Sequence, residues 1–126
     1  MKRCDALQKL SREHHRALVI ALRISKTGDD TARAAILNEV MRFIQADLLP
    51  HFEQEETELL PQLKKVDADE LLLRTLNEHA QLRELSALLN AGDLSALLPF
   101  GVLLRAHVQF EERELFRAAE QVLRQQ

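Results

Sequence analysis

HFEQEETELL at residues 51–60 returns as HVQFEERELF at residues 107–116. Each copy sets a histidine four residues before a glutamate, then runs Glu, any residue, Glu, Leu and a large apolar residue. On an α-helix, residues four apart lie one above the other on one face, so an imidazole and a carboxylate can reach one ion together. His51 with Glu55, and His107 with Glu111, therefore form two nitrogen-plus-oxygen clamps. A further histidine precedes each cassette: His14 or His15 in REHHRAL, and His79 in NEHAQL. The order His, His-x3-Glu is thus used twice.

Working outward, periodicity and punctuation divide the chain into four amphipathic segments. The first runs from about Asp5 to Lys26, where Gly28 ends it and an Asp of TGDD caps the next. The second continues to about Leu60 with Pro50 inside it, and the proline should bend it just before His51. Pro61 and KKVDAD mark a turn, and Asp67 with Glu70 resembles a capping box for the third segment, which ends at Asn90-Ala91-Gly92. The fourth begins near Asp93, is disturbed at Pro99 and Gly101, and continues to about Leu123. Short connections favour antiparallel neighbours, so the expected fold is an all-α, up-down-up-down four-helix bundle forming one domain over residues 1–126.

In that topology the second and fourth helices run the same way, and their cassettes can face each other at similar height. A rotation of about 100° per residue puts His51 and Glu55 with Val40, Ile44, Leu48 and Leu59. The same rotation puts His107 and Glu111 with Leu104, Leu115, Ala118 and Val122. All four polar groups then point into a core, where a carboxylate is costly unless it is neutralised, paired or bound to metal. Arg83, one turn after His79, is the only basic residue near these faces, and one guanidinium does not readily serve two separated glutamates. Metal is the simpler answer.

A lone buried histidine is more often a hydrogen-bonded core residue than a ligand, and a lone His-x3-Glu is often a surface pair. Two cassettes, each with its preceding histidine, require several coincidences on that account. On the first helix His14 falls in register with Leu7, Leu10, Leu18 and Ala21 and repeats the Glu-His step of Glu78-His79. His15 sits toward the edge of that face and shares a His-x-x-Leu step with His79, so it stays open as the alternative. Glu56 and Glu112 point about 100° away from the proposed ligands, and Glu53 lies nearly opposite His51, so all three read as solvated charge. Glu58 and Glu114 return to the histidine face about two turns on, roughly 10 Å away, and read as boundary residues. Phe43, Phe52, Phe110 and Phe116 read as plain core.

Composition narrows the classes. Of 126 residues, 46% are apolar and 29% charged, enough for a real core, while three Gly, three Pro and no Tyr or Trp favour helix over sheet. The net charge of −3 is spread over both signs, and no Lys/Arg cluster is interleaved with aromatics, which argues against a nucleic-acid partner. The start lacks a signal-peptide-like apolar stretch, and the run Ala96 to Leu104 is interrupted by Pro99 and too short to span a bilayer. A cytoplasmic protein with no membrane partner is the expectation. Cys4, the sole cysteine, has nothing tying it to the histidines and is left out of the site. Neither oligomeric state nor protein partner is legible in the sequence.

The series of a first histidine, HFEQEETELLP, EHAQL and HVQFEERELF resembles the hemerythrin HHE domains, and the resemblance covers essentially the whole chain. It implies a four-helix bundle with a non-haem di-iron centre, in a family that binds oxygen, senses oxygen or iron, or handles nitric oxide and peroxide. The implied ligands are His14 or His15, His51, Glu55, His79, His107 and Glu111, with both glutamates bridging two iron ions. Oxygen-carrying members place a second histidine four residues after the third-helix ligand; here that residue is Arg83. Two histidines and two bridging oxygens leave each iron four protein contacts and room for a small ligand such as oxygen or nitric oxide, an arrangement that suits iron better than structural zinc. The missing histidine favours sensing, scavenging or iron handling over dedicated oxygen carriage. An enzyme acting on peroxide ranks lower, since no general acid or base and no Tyr is evident. A metal-free helical interaction module is the third alternative.

Overall fold

The computed structural model describes residues 5–125, which leaves Cys4 outside the described residues. Four long helices follow one another: α1 (Asp5–Ser25), α2 (residues 30–63), α3 (Asp69–Asn90) and α4 (residues 97–124), the last entered through a short 3-10 turn, Leu94–Ala96. α2 joins Asp30–Phe43, Leu49–Gln54 and Leu60–Leu63 through two π-helical turns, Ile44–Leu48 and Glu55–Leu59. α4 likewise joins Leu97–Phe110 to Phe116–Arg124 through the π turn Glu111–Leu115.

Cross-helix contacts fix the topology. Glu13 meets His51 and Arg16 meets Asp47, so α1 and α2 run antiparallel. Glu78 meets His107 and Arg74 meets Glu114, which sets α3 against α4 in the same sense. Glu56 bonds both His79 and Arg83 across α2 and α3. His14 reaches Glu111 while a Cβ on Gly101 would stand 2.8 Å from Ile24, so α4 runs down α1 and needs glycine at their close approach. The architecture is the up-down-up-down bundle that the short connections imply.

The ends of the helices follow local chemistry, with some departures from expectation. Asp29 caps α2 by accepting the Ala32 amide at 2.8 Å. Gly92, at φ 88°, closes α3, with its amide on the Leu89 carbonyl and that of Asp93 on Leu88. Gly28 does not take the left-handed conformation; instead the Thr27 hydroxyl bonds the Ile24 carbonyl at 2.6 Å. The capping box at Asp67 and Glu70 does not form, for Ala68 occupies the cap position without a side-chain bond. Pro99 does not disturb α4, because it falls in the first turn, where its missing N–H has no helical acceptor to lose.

Two apolar clusters fill the bundle. One gathers Ile24, Phe43, Phe52, Leu89, Leu97 and Phe100 among others, and the second gathers Leu7, Leu59, Leu63, Leu115 and Phe116 with their neighbours. Between them lies a layer of buried histidine and glutamate, with His14, His51, Glu55, His79, His107 and Glu111 each no more than 4% exposed. Among the described residues no helix is long and apolar enough to cross a membrane.

Candidate metal centre

Two of the three wide turns begin at the glutamates themselves. The Leu60 amide bonds the Glu55 carbonyl and the Phe116 amide bonds Glu111, five residues apart rather than four. Prolines account for this only in α2, where Leu-Pro pairs follow both π turns and the proline ring crowds the carbonyl four residues back. No proline follows Glu111, and π turns of this kind gather at functional sites. Widening the turn buries adjacent residues together: Leu59 with Leu60, and Leu115 with Phe116. The same extra residue carries Glu58 and Glu114 out to solvent rather than leaving them at the boundary.

Six of the seven residues singled out from the sequence converge. His14, His51, Glu55 and Glu111 present ligand atoms within 4.8 Å of one another, and so do Glu55, His79, His107 and Glu111. The two glutamates belong to both groups. His15 does not join them: one residue on from His14, it is turned about 100° away and lies exposed.

The approach of these atoms is not ordinary hydrogen bonding. His51 Nε2 lies 3.0 Å from Glu55 Oε2, His79 Nε2 3.0 Å from Glu55 Oε1, and His107 Nε2 3.0 Å from Glu111 Oε2. Yet the three nitrogens, both Glu55 oxygens and Glu111 Oε2 are buried with no hydrogen-bond partner. The distances are short but the angles are wrong, as expected when lone pairs aim at a shared point between them. His14 is the exception, its Nε2 meeting Glu111 Oε1 at 2.7 Å.

Each of the four buried histidines turns its other nitrogen to a second carboxylate. Nδ1 of His51 donates to Glu13 at 2.9 Å, that of His14 to Glu112 at 2.6 Å, that of His79 to Glu56 at 2.6 Å and that of His107 to Glu78 at 2.7 Å. A carboxylate can only accept, so it fixes the proton on Nδ1 and leaves the Nε2 lone pair facing inward, the tautomer a metal needs. Against the burial that raises it, hydrogen bonds from Arg83 and His79 hold the Glu56 carboxyl below its usual range. Hydrogen bonds from His51 and Lys9 do the same for Glu13, and those from His107 and Arg74 for Glu78. Glu56 and Glu112 are therefore not simply solvated charge. Each sits beside a ligand on its own helix, and a 100° turn from the core aims it at the neighbouring helix. The repeated Glu-His steps at 13–14 and 78–79 and Glu-Glu steps at 55–56 and 111–112 carried this signal.

Without an ion the layer is electrostatically tense. Burial and the nearby Glu111 charge push the Glu55 carboxyl up, while the imidazoles of His107, His14 and His51 hold Glu111 well below the usual range despite its burial. Burial lowers the basicity of His51, but the carboxylates of Glu111 and Glu55 outweigh it and raise its pKa to about 11. The same contest leaves His107 at about 9 and His79 at about 8. Protons occupy the positions that a cation would neutralise.

Two imidazole-rich groups sharing two carboxylates at the centre of a four-helix bundle define a cation-binding helical protein, and the donor set fits a metal. The family model of the hemerythrin HHE cation binding domain matches residues 5–119, and the chain belongs to that family. No curated protein and no solved structure matches the chain.

Proposed function

We propose that this chain is a non-haem di-iron protein that binds a small ligand such as oxygen or nitric oxide, or senses or handles iron, at the His/Glu centre in its core. The observation that carries this reading is the pair of overlapping groups, each with two histidines and the same two glutamates, whose inward atoms, His14 Nε2 and Glu111 Oε1 apart, lack hydrogen bonds. His14 and His51 would hold one ion, His79 and His107 the other, and Glu55 and Glu111 would serve both. Mixed imidazole and carboxylate donors suit iron, whereas structural zinc prefers a closed tetrahedron. Bound iron supplies an electron source and a place for a diatomic molecule to attach.

The chain's own residues supply access and shelter. Phe52 stacks on His79 at 3.9 Å between ring centroids and Phe116 stacks on His14 at 4.9 Å, closing those faces to water. Beside His14 and His51 lies a cavity of about 10 Å³ walled by Ala17, Phe43, Leu104 and Val108, close to what a single water-sized molecule requires. It is suited to a small neutral ligand and closed to a larger substrate. Protein loaded with ferrous iron under argon and then exposed to nitric oxide or oxygen should develop a new visible absorption band. A spectrum unchanged by both gases would contradict the ligand-binding reading.

A further inference from the structure

With every ligand side chain no more than 4% exposed, an ion can reach the centre only through the wall of the bundle. Around that wall the four outer carboxylates are covered unequally. Glu56 is gripped by both Arg83 nitrogens, at 2.7 and 3.1 Å, with that guanidinium over the Phe52 ring. Glu78 is bonded to Arg74, whose guanidinium lies 4.0 Å from the Phe110 ring centre. Glu112 accepts from both Ser11 and His14.

Glu13 accepts from His51 and from Lys9, an ammonium whose side chain is 57% exposed and which also bonds Gln54. The cavity beside the centre is lined by Glu13 and Asp47 together with His14, His51 and His107. His51 carries a buried Nε2 with no hydrogen-bond partner and reaches Glu13 through its Nδ1, so rim and interior are one residue apart. At about 10 Å³ the cavity is too small for a hydrated ion, so α1 and α2 must part for passage. At this height α1 offers small Ala17, and beyond the contacts of Lys9 with Gln54 and Glu13 with His51 the two helices are tied by Arg16 Nε to Asp47 at 3.0 Å. The side chains of Arg16 and Asp47 are 59% and 42% exposed, which makes theirs a weak and readily exchanged pair.

We propose that Glu13 and Asp47 form the port through which a divalent cation reaches the centre, with Arg16 as its latch. This rests on the metal-centre reading above and adds the route of uptake. An arriving cation displaces the Arg16 guanidinium from Asp47, exchanges water for the oxygens of Asp47 and Glu13, and passes to His51 and His14. Carboxylate oxygens suit a hard, partly hydrated cation, and nitrogen ligands then retain it.

The test is stopped-flow uptake of cobalt(II), followed by its visible absorption, in the full chain freed of metal. Asp47→Asn should slow uptake roughly tenfold at low salt and show a shallower dependence on ionic strength. Arg16→Gln should speed it, and both variants should reach the wild-type plateau. Glu53→Gln, which removes an exposed carboxylate elsewhere on α2, should change nothing. Wild-type rates in both rim variants would overturn the port, and so would a lowered plateau, which would mark the pair as structural. No uptake by the wild-type chain would instead overturn the metal-centre reading itself.

Discussion

The two halves of the centre are built by one pattern and finished differently. His14 with Glu112 and His51 with Glu13 correspond to His79 with Glu56 and His107 with Glu78, as though α1 and α2 were exchanged for α3 and α4. The surroundings break this symmetry. Phe52 covers His79 on one side, and its counterpart in the second cassette is Val108; Phe116 covers His14, and its counterpart is Leu60. Arg83 clamps the Glu56 carboxylate, whereas the cavity is lined by both histidines of the first half and by His107 alone of the second. Repeated residues build the donor set, and unrepeated ones decide which half is reachable.

Breaking the shared element should have the largest effect. Glu111→Ala removes oxygens common to both groups and should abolish binding of both ions, whereas His79→Leu, confined to one half, should spare the other. Elemental analysis after loading and desalting distinguishes the two. Because an ion at 100 to 1,000 times its dissociation constant contributes about 2.7 to 4.1 kcal/mol of stability, the Glu111 variant should also lose the melting-temperature gain that metal gives the wild type.

The outer carboxylates should matter less and act half by half. Glu56→Gln leaves the ligands in place but loosens the tautomer and orientation of His79, and should weaken metal affinity about 10- to 100-fold. Competition with a chelator of known affinity measures it. Glu13→Gln should act similarly through His51.

Filling the cavity should sharpen the contrast further. Ala17→Val narrows the space beside His14 and His51 at a cost of about 1–3 kcal/mol, and should slow nitric oxide binding while leaving metal content unchanged. Rapid-mixing absorption gives the rate, and an unchanged rate would mean that ligand enters elsewhere.

The smallest effect separates metal-free from loaded protein by pH. In the metal-free chain His79, His107 and His51 titrate at about 8, 9 and 11, above the value of about 6.5 for an unfolded histidine. A raised folded-state pKa gives stabilisation that is complete below pH 6.5 and is lost as pH rises through that range. The melting temperature of chelator-treated protein should therefore fall between about pH 6.5 and 11. Loaded protein should behave oppositely and weaken toward acid, where protons compete for the imidazoles.

Much of this was legible in the sequence. Hydrophobic period and short connections lead to the bundle, and the doubled His-x3-Glu leads to His51, Glu55, His107 and Glu111, because spacing on one helix decides what one helix presents. His14 could not be separated from His15 by register alone; burial separates them. The roles of Glu13, Glu56, Glu78 and Glu112 depend on contacts between helices, which no single helical projection contains. The failed cap at Asp67 and the outward Glu58 and Glu114 share a cause: each expectation assumed regular local geometry, and tertiary packing chose otherwise.

The most direct test of the whole account is an anaerobic equilibrium titration of the metal-free chain with ferrous iron, with bound metal counted per chain. The account predicts saturation at two ions in the wild type and none retained in Glu111→Ala. Saturation at one ion, or equal retention by the variant, would contradict a centre made of two halves sharing their carboxylates.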